Sequence, residues 1–157
     1  MKADDQVLTG SQRWAGLATV VAMLGLLGFF LLHQSTNTGF FTPRFGSFEM
    51  LALYLPILVS FAAPIVRAIG GRQNPARPFQ AAMSSTLALG SLWLVIIFPF
   101  NFARLADVLP SALQFVISWI NDDMGRFILI LQVLLGIIAA PLTIRKFFSE
   151  RRQSALA

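Results

Sequence analysis

Few side chains in this sequence are able to do chemistry. His33 is the single histidine, and there is no cysteine. Without a thiol, disulfide exchange, thiolate metal sites and iron–sulfur ligation are excluded. One imidazole is too few for a haem held by two histidines or for a zinc site of three or four ligands. The sequence therefore gives no ground for a metal, a cofactor or a catalytic residue. The carboxylates offer more. Asp107, Asp122 and Asp123 fall in one expected outer segment with Arg104 and Arg126, and Glu49 falls in the other, with His33 and Arg44. Paired carboxylates can divide acid and base roles, so the four carboxylates with Arg104 and Arg126 form a candidate external site. The plainer reading has Asp122–Asp123 closing a helix and Arg126 snorkelling from the next one.

A second set lies in apolar surroundings. Gln132, Gly136 and Ala140 recur every four residues, a ridge of small side chains with one polar tooth, and Ala82, Thr86 and Gly90 repeat the spacing. Ala15, Ala18, Ala22 and Gly25 form a third small face at heptad spacing. Small residues let helix backbones approach, and a polar group adds about 0.6 kcal/mol, at most 1–2, across such a contact in a membrane. Helix packing is the expected role of all three, with lining of a substrate path the alternative for Gln132. Pro56, Pro64 and Pro99 free backbone carbonyls and kink helices; Pro56 is the candidate functional hinge among them, beside the plainer reading that proline is common in membrane helices.

The elements carrying these residues follow from composition. The chain has 157 residues, 56% hydrophobic and 12% charged, which is too apolar for an ordinary soluble domain. A hydrocarbon core about 30 Å thick needs roughly 20 mainly apolar helical residues. Four stretches meet that need: Trp14–Leu32, Met50–Val66, Ala81–Phe100 and Phe127–Ile144. Facing lipid, each must satisfy its own backbone hydrogen bonds and hence be helical. The first is longer than a signal-peptide core and reads as an anchor. No soluble domain, repeat or low-complexity tract is evident.

The stretch from 108 to 120 is too short to cross. On a helix at 100° per residue, Asp107, Pro110, Ser111, Gln114, Ser118 and Asn121 share one sector, and Val108, Leu109, Ala112, Leu113, Val116, Trp119 and Ile120 fill the other. That pattern predicts an interfacial helix lying along the membrane, with Trp119 at headgroup depth. The fold class is thus an all-α integral membrane protein, a bundle of four transmembrane helices with an external horizontal amphipathic helix between spans 3 and 4.

Orientation follows from the basic residues. Nine of them (Lys2, Arg13, Arg67, Arg72, Arg77, Arg145, Lys146, Arg151 and Arg152) fall on one side of such a topology, and three (Arg44, Arg104 and Arg126) on the other. The richer side is cytoplasmic. Both termini are then expected inside, in a bacterial or archaeal plasma membrane. The net charge of +5 is explained by this bias, and nucleic acid is not expected as a partner. The cytoplasmic tail "RKFFSERRQ" suits contact with lipid headgroups.

Four spans with an external horizontal helix before the last resemble the layout of the DsbB family of quinone-linked disulfide generators. The cysteine pairs that define that family are missing, so its activity does not carry over. Small multidrug transporters, also of four helices, rely on a glutamate within the first span, and Trp14–Leu32 has none. Coupled carriers in general need a charge inside the membrane. By exclusion, the expected function is a small non-catalytic integral membrane subunit or accessory protein of a larger complex, with membrane lipids and other integral membrane subunits as partners. Two alternatives stand beside it. One is an oligomeric channel or carrier for a small solute; the other is a lipid-modifying enzyme at the outer surface.

Overall fold

The computed structural model describes residues 10–70 and 74–155. Six α-helices occur among them: α1 (Gly10–Thr36), α2 (Ser47–Ser60), α3 (Ala62–Gly70), α4 (Arg77–Ile97), α5 (Ser111–Gln114) and α6 (Asp122–Ala155). Four helical stretches are long and apolar enough to cross a membrane: Trp14–Thr36, Ser47–Ile69, Arg77–Ile97 and Asp122–Ser149. They coincide with the four expected spans but differ at the ends, and capping explains most of the difference. Glu49 accepts a hydrogen bond from the Gly46 N–H at 2.9 Å, which starts α2 at Ser47. The Asn121 side chain accepts from the Met124 N–H at 3.0 Å and starts α6. Span three stops at Ile97, short of the expected Phe100, because Phe98 takes a left-handed conformation (φ 44°, ψ 69°). The next residue is Pro99, whose ring disfavours right-handed helix at the position before it. α6 runs 34 residues, about 51 Å at 1.5 Å per residue, and carries the basic tail as helix.

The second span is broken, and of its two kinking prolines it is Pro64, not the candidate hinge Pro56, that sets the break. Pro56 lies inside α2, whereas the break falls at Phe61, between α2 and α3. Pro64 is the cause: it has no N–H for the Ser60 carbonyl, and its ring crowds that oxygen. Restarting the helix at Ala62 puts Pro64 in a first turn, where no donor is needed.

The segment 108–120 is not a continuous α-helix. One turn, Ser111–Gln114, is α-helical, and turns follow it through Trp119. Bonds from Leu113 N–H to Pro110, Val116 to Leu113, Ile117 to Gln114 and Ile120 to Ile117 each span three residues. One bond, from Ser118 N–H to the Gln114 carbonyl at 2.9 Å, spans four, so the winding is mostly, not wholly, of the three-residue kind that aligns every third side chain. Leu113, Val116 and Trp119 accordingly face outward, and Gln114, Ile117 and Ile120 are half-buried.

α4 lies between α2 and α6 and packs against both, while α1 touches α2 and α3 lightly. None of the most apolar part of α1 is buried within the protein. A buried apolar cluster gathers where the 37–46 and 98–121 segments meet, around Phe40, Leu94, Phe100, Leu105 and Leu129. We call this end the cap.

Candidate functional site

The cap is built mainly from phenylalanine. Phe40 contacts Phe30, Phe41, Phe100 and Phe102, with ring centroids 4.9–6.1 Å apart. Phe41 stacks on Phe45 at 4.0 Å. Such ring pairs add to the area they bury. Two backbone bonds stitch the segments together, from Asn101 N–H to the Phe40 carbonyl at 2.8 Å and from Thr42 N–H to the Pro99 carbonyl at 3.0 Å.

His33 anchors α1 to this cap. Only 1% of it is exposed, and its ring lies against Phe29 and Phe40. Nε2 is 3.0 Å from the Leu105 carbonyl, which only accepts, so Nε2 carries the proton. Nδ1 is then the acceptor for the Thr38 hydroxyl. Every polar atom of the ring is consumed by holding residues 38 and 105 together. The sequence marks His33 as a residue at a membrane boundary and does not show this tie. The signal that would have located the cap is the density of phenylalanine in "GFFTPRFGSF" and "FPFNF".

Of the six charged residues of the candidate external site, the structure brings Arg104 and Asp107 together and gives the other four places of their own. Glu49 is buried; besides capping α2 it accepts from the Trp93 indole N–H at 2.9 Å, joining α2 to α4. Arg104 and Asp107 pair with each other at 3.2 Å on the surface. Asp122 accepts the Phe102 N–H at 2.8 Å, fixing the cap to the start of α6. The Arg126 guanidinium lies 4.3 Å over the Phe98 ring, a cation–π contact. Asp123 is exposed in the first turn of α6. Among the described residues, no group of three or more His, Asp or Glu is placed to hold a metal ion.

The small-residue rows sort differently. A Cβ on Gly136 would lie 2.6 Å from the Ser84 carbonyl oxygen and 2.7 Å from the Ala88 Cβ, so α6 meets α4 through Gly136. Ala140 is buried as well, and Gln132 accepts from the Ser91 hydroxyl at 2.8 Å. The α4 face involved is thus Ser84, Ala88 and Ser91. Of the row Ala82, Thr86 and Gly90, Gly90 abuts Ala52 of α2, Thr86 bonds back to the Ala82 and Met83 carbonyls, and Ala82 is exposed. On α1, Ala15, Ala18, Ala22 and Gly25 are all exposed, and a Cβ on Gly25 would meet nothing within 4 Å.

Beneath the cap is a cavity of about 600 Å³. Met23, Leu26 and Phe30 of α1, Leu53 and Ile57 of α2, Leu87 and Leu94 of α4, and Ile128 and Leu129 of α6 supply much of its wall. Among the described residues, Ser60, Ser91 and Gln132 are the polar side chains on it, and no charged residue lines it. Compared with known protein families, characterised proteins and solved structures, the chain matches none. Function must therefore be argued from the geometry alone.

Proposed function

We propose that this chain is a non-catalytic integral membrane subunit of a larger assembly. It crosses the plasma membrane of a bacterium or archaeon four times as a helix bundle, with both termini cytoplasmic and the cap at the outer surface. The 108–120 segment lies along that surface, its outward row of Leu113, Val116 and Trp119 meeting the lipid interface. The nine-to-three distribution of basic residues supports the orientation.

The observation that carries the reading is the contrast between three small faces. The close approaches at Gly90 and Gly136 are used inside the chain, whereas the α1 face points away from it. The α1 residues that are half-buried, Gly16, Val20, Met23 and Leu27, lie on nearly the opposite side of the helix at 100° per residue. In lipid, helices associate where small residues let backbones meet. The Ala15, Ala18, Ala22 and Gly25 face therefore fits a transmembrane helix of another subunit. The charged side chains engaged above are holding the fold, consistent with a role that is not catalytic.

Mild detergent extraction from the source membrane tests this. The protein is expected to migrate with other subunits, well above its own 17.3 kDa plus detergent. A homo-oligomer that moves a solute after reconstitution alone would replace this reading with a channel or carrier.

A further inference from the structure

The cavity under the cap has a size and chemistry of its own. Ligand pockets measure roughly 300–1,000 Å³, mostly apolar with a few placed polar groups, and about 600 Å³ falls inside that range. α1 and α6 both line it, yet among the described residues they make little or no contact with each other. At the cap end the wall includes the buried Phe40 (1% exposed) and Leu105 (7%), which favours entry between α1 and α6 over entry from the cap.

Gln132 supplies the polar contact. Its amide has two polar atoms, and Ser91 takes one of them at 2.8 Å. Whichever way the amide is turned, the other makes no further hydrogen bond among the described residues, on a helix face that lines the cavity. An unmatched amide atom in an apolar wall favours a partner with one hydrogen-bonding oxygen. Because no charged side chain lines the wall among the described residues, a phosphate headgroup or an ionised fatty acid finds no counter-charge among them.

We infer that the cavity binds one uncharged, single-chain lipid carrying a hydroxyl or carbonyl oxygen, which enters between α1 and α6 and hydrogen-bonds Gln132. This rests on the membrane placement proposed above but not on α1 docking a partner.

The test uses the full chain in phosphatidylcholine liposomes and three diazirine photoprobes: hexadecanol, hexadecane and a phosphatidylcholine. The hexadecanol probe is expected to label Met23, Ile128 and Leu129, with unlabelled hexadecanol competing. Gln132→Leu should weaken hexadecanol labelling about threefold, the equivalent of about 0.6 kcal/mol, and leave hexadecane labelling unchanged. Leu129→Trp, which fills the space, should block both; Gln132→Leu carries the test if that variant does not fold. The phosphatidylcholine probe should label exposed Leu134 and Ile138 in every variant, and its failure to do so would sink the membrane placement itself. Hexadecanol labelling confined to those exposed positions, or indifferent to Gln132→Leu, would overturn the lipid site and leave the membrane placement intact.

Discussion

The carbonyl oxygen of Ala52 lies 2.3 Å from where a Cβ on Gly90 would stand. Pro56, four residues after Ala52, has no N–H to bond that carbonyl within α2. The oxygen freed by the proline is covered by the glycine of α4, whose hydrogen is the only group that fits there. Contacts of this Cα–H···O kind recur where helices meet closely. Pro56 thus serves the α2–α4 junction, and the bend in this span is set five residues later.

Substituting either close-approach glycine should damage the fold. Gly90→Ala and Gly136→Ala each force a methyl against backbone oxygen, at 2.3 Å and 2.6 Å, an overpacking worth about 1–3 kcal/mol. Gly28→Ala on α1, where a Cβ meets nothing within 4 Å, should be neutral. Thermal unfolding in detergent, followed by size-exclusion of heated samples, separates the two groups. Equal melting of all three variants would contradict the packing described.

His33→Ala should loosen the cap without unfolding the helices. It leaves the buried Leu105 carbonyl without a donor, a cost of about 1–3 kcal/mol. Hydrogen exchange should quicken at residues 38–42 and 100–106 while α4 and the middle of α6 stay protected. Exchange unchanged in both cap segments would show that the imidazole is not their tie.

Spin labels scanned through 111–120 should report a period of three. Labels at 113, 116 and 119 should be mobile and those at 114, 117 and 120 restricted, following the outward and inward rows. A period near 3.6 would restore a continuous α-helix.

That period shows where the sequence is legible and where it is not. The four spans can be read because lipid imposes both a length and a continuous apolar surface on a crossing helix. Residues 108–120 are under no such constraint. A wheel at 100° puts Leu113 between Ile117 and Ile120 in angle, yet the tighter winding sends Leu113 outward and the other two inward. The ends of the spans depend on local bonds, such as Asn121 to Met124 and the Phe98–Pro99 step, and shift by several residues. Small faces were legible as faces, but their neighbours were not. Nothing local tells that Gly136 meets Ser84 and Ala88 while Gly90 meets Ala52. His33 is read poorly for the same reason, since its partner Leu105 is 72 residues away.

The bond between Ser91 and Gln132 should contribute modestly. Ser91→Ala and Gln132→Leu are each expected to cost about 0.6 kcal/mol, at most 1–2, with the double variant no worse than the larger single one. A strictly additive cycle would mean that the 2.8 Å contact contributes no coupling.

The open face of α1 decides whether this chain works as a subunit, and a photo-crosslinking residue placed at Ala22 in source cells reads it directly. The account predicts a discrete adduct between this protein and another membrane protein. The same residue at Val20, on the side turned toward the chain's own helices, should give none. Adducts with lipid alone at Ala22, or equal protein adducts at both positions, would contradict the claim that this face docks a partner.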